Sequence, residues 1–253
     1  MENSKLMALL SELHNQSISI DQAYLQLKDL PFEDLGFAKI DHHRSLRKGF
    51  PEVIFCQNKS PKQVVDIVKA QLTHGDTVFG TRADNAVIKS VKDNFQDIEI
   101  DETARCFWRK SDSWQPKDKI KGNVLICSAG TADSSVALEA ARTLDIIGHP
   151  FTVLSDVGVS GIHRLFSHKE SLMKASVIIV IAGMEGALPS VVAGYVRCPV
   201  IGVPTSVGYG SHLNGLVPLF AMLNSCAAGL TVVNIDNGFG AACAAGAMNE
   251  LNY

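Results

Sequence analysis

The sequence predicts an α/β fold: a C-terminal doubly wound parallel sheet preceded by a small α/β domain. Three observations predict it. Short continuous apolar runs alternate with helical segments along the second half, and strands buried on both faces read this way. Composition shifts between the halves: residues 1–120 hold 17 of the 23 Lys and Arg and 18 of the 26 Asp and Glu, but 4 of the 20 glycines. Each apolar run of the second half is followed by a loop of small residues, as at the ligand-binding edge of an open α/β sheet. The shift places a boundary near Lys110–Lys121, where Ser111-Asp112-Ser113-Trp114-Gln115-Pro116 reads as a linker. The domains are expected over residues 1–118 and 119–253.

Taken in order, the first half opens with helices near Asn3–Ser17 and Ile20–Leu30, the second ended by Pro31. Glu52–Phe55 reads as a strand. Ser60-Pro61 starts a helix that runs to Leu72, with Val64, Val65, Ile67 and Val68 as its apolar positions. A strand at Thr77–Gly80, a helix at Asp84–Asp93 and a strand at Ile98–Phe107 complete a β-α-β-α-β order. In the second half, strands are expected at Asn123–Ser128, Phe151–Ser155, Val177–Ala182, Val200–Val203 and Thr231–Ile235. Helices are expected between and after them, at Asp133–Ile147, Ile162–Ala175, Leu188–Tyr195, Leu216–Ala228 and Gly240–Asn249.

With 46% hydrophobic residues and a mean hydropathy of +0.13, the chain is not of the disordered kind. A net charge of -3 gives no bulk electrostatic case for nucleic acid or an anionic membrane. No apolar run reaches the roughly 18 residues a spanning helix needs. Met1–Leu10 carries Glu2 and Lys5 and lacks a secretory pattern, so a soluble cytoplasmic protein is expected. Cysteines at 56, 106, 127, 198, 226 and 243 show no C-x-x-C spacing, which argues against a zinc site or redox dithiol and for free thiols.

Five loops are expected on one sheet edge: Ser128–Ser135, Ser155–Gly161, Gly183–Ala187, Pro204–His212 and Asp236–Gly240. Small residues let a ligand approach the backbone, and the helix N-termini behind them favour anions, so together they point to a phosphate-bearing ligand. The Walker and dinucleotide fingerprints are absent. The candidate binding residues are Thr131, Asp133, Ser134, Ser155, Asp156, Arg164, Gly186 and Ser206. Thr131 and Asp133 read equally well as helix N-caps, Ser155 and Asp156 as an Asx-turn, and Arg164 as a solvent-facing side chain. Glu185, between glycines after a fully apolar strand, is better placed at a site edge than in a core. His212 reads either as a surface residue or as an acid–base group. From its neighbours alone, Cys226 reads as a packing residue in an apolar helix, no better a nucleophile than Cys127.

The second half resembles the aminoimidazole ribonucleotide carboxylase/mutase family, which has the PurE-like fold. The similarity rests on Gly130-Thr131-Ala132-Asp133-Ser134-Ser135, Ile181–Pro189, Pro199–Pro204, Asn214-Gly215-Leu216 and Gly240–Ala245. That family's Ser-Ala-His-Arg segment is replaced here by Ser155-Asp156-Val157-Gly158-Val159-Ser160-Gly161-Ile162-His163-Arg164. This segment, together with Arg44–Phe55 and Pro204–Gly210, resembles the LarB family over about residues 30–253. The resemblance implies the first step of nickel-pincer nucleotide biosynthesis, which serves lactate racemase maturation: carboxylation of nicotinic acid adenine dinucleotide at pyridinium C5 by CO2, with cleavage of its phosphoanhydride to release AMP. It implies a catalytic cysteine at Cys226, Mg²⁺ as the metal, and a homo-oligomer with an octamer as the expected size. An electron-poor pyridinium cannot attack CO2, but thiolate addition makes C5 enamine-like and nucleophilic. Glu185 and His212 are then candidates for proton transfer, and Asp133 and Thr131 for the pyrophosphate, with Asp133 also on the metal. A purine-type carboxylase/mutase and a non-catalytic nucleotide-binding module are the alternatives.

Overall fold

The computed structural model describes residues 3–27, 32–42, 44, 48–117, 120 and 122–251. These fall into two compact units. One gathers the described residues up to Gly80 with Asp84–Glu99 and Phe107–Trp114. The other gathers those from Gln115 onward with Thr81–Ala83 and Ile100–Cys106.

The first unit begins with helices α1 (Asn3–His14) and α2 (Ile20–Leu27), and the expected stop at Leu30 and Pro31 lies outside the described residues. Two-residue strands β1 (Glu33–Asp34) and β2 (Lys39–Ile40) pair as an antiparallel hairpin. Next come β3 (Ile54–Phe55), α3 (Pro61–Thr73), β4 (Val78–Thr81), α4 (Asn85–Asn94), β5 (Glu99–Asp101) and β6 (Cys106–Arg109). The strands form a sheet in the order β3-β4-β6-β5, with β4 and β6 antiparallel. The start of α3 is a full capping box: Ser60 Oγ accepts from Gln63 N–H and the Gln63 side chain accepts from Ser60 N–H. The four expected apolar positions of α3 are buried. The strand expected at Ile98–Phe107 is two strands. Asp101 Oδ1 accepts from Ala104 N–H, and Arg105 takes a left-handed φ of 54°, which turns the chain back.

The second unit is an α/β sandwich. Its strands are β7 (Val124–Ser128), β8 (Phe151–Leu154), β9 (Val177–Ala182), β10 (Val200–Pro204) and β11 (Leu230–Val232). All five are parallel, in the order β11-β10-β9-β7-β8. Every residue of β7, β9 and β10 is buried, which explains their unbroken apolar runs. Each buried Val or Ile there contributes about 1.5–3 kcal/mol. Helices α5 (Ser134–Ile146), α6 (Ile162–Phe166), α7 (Lys169–Lys174), α8 (Leu188–Ala193), α9 (Leu216–Leu223) and α10 (Gly238–Leu251) cover the sheet. The single helix expected over Ile162–Ala175 breaks into α6 and α7 at Ser167-His168, where His168 leaves helical geometry at φ -104° and ψ 24°. The helix expected to reach Ala228 stops at Leu223, because Asn224 caps it by donating its side-chain N–H to Phe220 O at 2.7 Å. Among the described residues no helix is long and apolar enough to cross a membrane.

Candidate active site

The carboxyl edge of the parallel sheet holds a cavity of about 430 Å³. The loop after β7 contributes Ala129, Gly130, Ala132 and Asp133, and the loop after β8 contributes Gly158, Val159 and Ser160. The loop after β9 brings Gly183, Met184 and Glu185, and the loop after β10 brings Val207 and Tyr209. Most of these side chains are small, so the backbone itself forms the wall. Gly183 is required where it stands: a Cβ would lie 2.2 Å from Val207 O. Gly186 adopts φ 65°, and a Cβ there would sit 2.8 Å from Pro218 Cα at the start of α9.

Of the side chains expected to act, Asp133 and Glu185 line this cavity. Glu185 is exposed in it. Asp133 is 4% exposed and both its oxygens are engaged. Oδ1 accepts from Thr205 Oγ at 2.7 Å and Oδ2 accepts from Gly130 N–H at 3.0 Å. It therefore braces two loops, and its side chain makes no cap bond to α5. Burial pushes its carboxyl up, the Thr205 and Gly130 hydrogen bonds oppose that, and Asp236 adds to the rise. Each oxygen accepts a single hydrogen bond and keeps a second lone pair, and Asp133 lines the cavity, so its carboxylate fits the Mg²⁺ role expected of it, with Thr205 and Gly130 as outer support.

The other expected binding residues surround the cavity without lining it. Thr131 and Ser134 frame the first turn before α5, and Ser134 Oγ donates to Thr131 O. Ser155 is exposed at the end of β8. Asp156, at φ 59°, is ion-paired with Arg164 on α6. Ser206 donates its N–H to Asp236 Oδ1 at 2.7 Å. His212 is buried, contrary to the surface reading. Its Nδ1 accepts from Gly215 N–H at 3.2 Å, which leaves Nε2 as the proton-bearing nitrogen, buried and without a partner among the described residues. Leu213 and Asn214, both with φ near 50°, and Gly215 at φ 96° fold the chain around that ring.

Cys226 is not in a helix. It follows α9 in the connection to β11, and Ser225 turns the chain by accepting from Ala227 N–H at 3.2 Å and from Ser190 Oγ at 2.8 Å. It does not line the cavity of its own chain. It is, however, the one exposed cysteine of the six. Cys127 is fully buried, and burial pushes its thiol up to about 12, so it holds almost no thiolate at neutral pH.

Two residues not singled out from sequence sit beside these loops. Glu139 on α5 is buried, which pushes its carboxyl up. Arg82 Nε lies 3.6 Å from its Oε1, and Phe239 N–H donates to its Oε2 at 3.2 Å. Arg82 also donates to Asp236 O. An acid on an Ala-rich helix face was the visible signal for Glu139; its partner lies more than fifty residues away and carried none.

Residues 32–111 match the LarB/PurE-like N-terminal domain and residues 121–253 match AIR carboxylase. An uncharacterised protein of Methanocaldococcus jannaschii is 39% identical over 255 residues, covering 97% of each chain. The N5-carboxyaminoimidazole ribonucleotide mutase of Thermotoga maritima is 31% identical over 100 residues, 39% of this chain and 57% of that one. The mutase of the same name from Pyrococcus horikoshii is 32% identical over 132 residues, 51% of this chain and 72% of that one. A crystal structure of a PurE2 variant from Treponema denticola aligns at a TM-score of 0.43 and 20% identity, over 52% of this chain and 82% of that one.

Proposed function

The chain belongs to the LarB family, with a PurE-like C-terminal domain of the carboxylase/mutase kind, and from that premise we propose that it is a pyridinium-3,5-biscarboxylic acid mononucleotide synthase. Nicotinic acid adenine dinucleotide, CO2 and water are converted to the dicarboxylated mononucleotide and AMP. The observation that carries this reading is the pairing of the LarB-type N-terminal domain with the AIR carboxylase domain in one chain. The Ser155–Arg164 segment supports it, because Asp156 and Arg164 pair where the purine enzymes' Ser-Ala-His-Arg segment is expected.

In this reading the thiolate of Cys226 adds to the pyridinium ring and turns C5 into an enamine-like carbon. C5 forms a bond to CO2, a base takes the C5 proton, and departure of the thiolate restores the aromatic ring. Glu185 is the base we assign, since a carboxylate facing a small cavity can reach a bound ring. His212 does not line the cavity, and its buried ring holds the loop after β10 in shape through Gly215 N–H. Water cleaves the phosphoanhydride to release AMP, and glycine-lined backbone around Gly130 and Gly158 holds the phosphates.

Cys226 must reach a ring held in a cavity it does not line. We assign this to a homo-oligomer in which it serves a neighbouring copy. Leu216, Phe220 and Leu223 form an exposed apolar stripe along α9, and the exposed Cys226 follows directly. The test is incubation with nicotinic acid adenine dinucleotide and bicarbonate, with AMP and the mononucleotide product measured together. Both products are expected. Turnover of an aminoimidazole ribonucleotide in their place would establish the purine-type reaction, and binding without product would establish a nucleotide-binding module.

A further inference from the structure

The N-terminal unit holds a cluster of side chains outside the site just described. His42 follows β2, and both of its ring nitrogens face carboxylates: Nδ1 is 2.6 Å from Asp76 Oδ2 and Nε2 is 2.8 Å from Glu33 Oε2. His74 Nε2 approaches the same Glu33 oxygen at 3.5 Å. The two imidazoles stack with centroids 3.6 Å apart and 23° between their planes. The ligand atoms of Glu33, His42 and His74 all lie within 4.8 Å of one another. We propose that Glu33, His42 and His74 bind a divalent transition-metal ion through one carboxylate oxygen and two imidazole nitrogens.

The donor set selects the class of ion. Imidazole with carboxylate suits Zn²⁺, Fe²⁺ or Ni²⁺, whereas Mg²⁺ and Ca²⁺ prefer oxygen alone. The cysteine spacing argued against zinc, but no cysteine takes part here. Two metal–nitrogen bonds of about 2.0–2.1 Å span at most about 4.2 Å, so the imidazole nitrogens must close together, which rotation of the half-exposed His74 ring provides. Asp76 supplies the outer support: its carboxylate holds Nδ1–H of His42, and a metal at Nε2 takes the place of the proton that Nε2 shares with Glu33. With both imidazoles neutral, Glu33 and Asp76 give the cluster two negative charges, which one divalent ion cancels.

The backbone holds the donors in place. The β1–β2 hairpin pairs Glu33 with Ile40, two residues before His42. His74 ends α3 with its N–H on Ala70 O and Leu72 O, and Asp76 N–H returns to Gln71 O. The cluster thus lies at the C-terminal end of a 13-residue helix, the end that favours cations. His74 is half exposed, so an ion has an entry path and a water can complete its coordination. The bound ion would pin the hairpin to the end of α3, whatever reaction the other unit performs.

The full chain, stripped with a chelator, is titrated with Co²⁺ and followed by visible absorption, and Zn²⁺ retained after desalting is counted by elemental analysis. One ion per chain is expected, with d–d bands and no thiolate-to-metal charge-transfer band. His74→Ala, at a half-exposed position that leaves the fold intact, is expected to lose retained metal; His74→Gln is a second, size-matched check. Asp76→Asn should weaken binding by about 10–100-fold. Failure to bind stoichiometric Co²⁺, undiminished binding in both His74 variants, or a thiolate band would overturn the proposal and leave the cluster an ion-pair network.

Discussion

Thr205 donates its hydroxyl hydrogen to Asp133 Oδ1 at 2.7 Å, which latches the end of β10 to the loop after β7. Strand β9 lies between those two strands, so the bond spans its carboxyl end. Gly183 follows β9 at that point, and a Cβ there would lie 2.8 Å from Thr205 Oγ. The absent side chain makes room for the latch, and the latch sets the wall of the cavity.

Thr205→Val keeps the shape and removes the donor. A buried carboxylate oxygen is then unsatisfied, which costs about 1–3 kcal/mol. Urea unfolding should show that loss, and Thr205→Ser should restore most of it. Equal stability of Thr205→Val and the parent would mean that the latch is weak.

Phe220→Asp places a charge in the centre of the exposed stripe on α9. The expected outcome is a smaller particle by light scattering, a melting temperature close to the parent's, and loss of turnover, because Cys226 no longer meets a neighbouring cavity. An unchanged particle mass would remove α9 from the interface.

Much of the C-terminal sheet was legible because strands covered on both faces leave continuous apolar runs, as in Val177–Ala182, whose bounds the structure reproduces. Helix ends set by side-chain bonds were less so. Asn224 and Ser225 stop α9 early, and that moves Cys226 from a helix face to an exposed turn. The β1–β2 hairpin was missed because strands of two residues carry no periodicity. At the site, the small-residue loops marked the cavity edge, with Asp133 and Glu185 on it. The work of Asp133 was hidden, since its partner Thr205 lies 72 residues away. The grouping of His42, Glu33 and His74 leaves no trace in the sequence, because it depends on where the hairpin meets the end of α3.

His149 is buried, and burial followed by the Lys117 ammonium holds it below the ordinary value of 6.5, against the pull of Glu250. The folded chain therefore takes up a proton there less readily than the unfolded chain. The stability that neutral His149 supplies is complete above pH 6.5 and is lost as pH falls from 6.5 through the lowered folded value. His149→Asn should flatten that slope in urea titrations run across this range. A slope unchanged in the variant would place the titrating group elsewhere.

Carboxylation through an exposed cysteine is most directly tested by supplying ¹³C-bicarbonate with nicotinic acid adenine dinucleotide to the parent chain, Cys127→Ala and Cys226→Ser, and following label into the mononucleotide by mass spectrometry. The parent and Cys127→Ala should incorporate one labelled carboxyl per AMP released, while folded Cys226→Ser incorporates none, because a hydroxyl is scarcely ionised at neutral pH. Label incorporated by Cys226→Ser at the parent's rate, or AMP released without label by the parent, would contradict it.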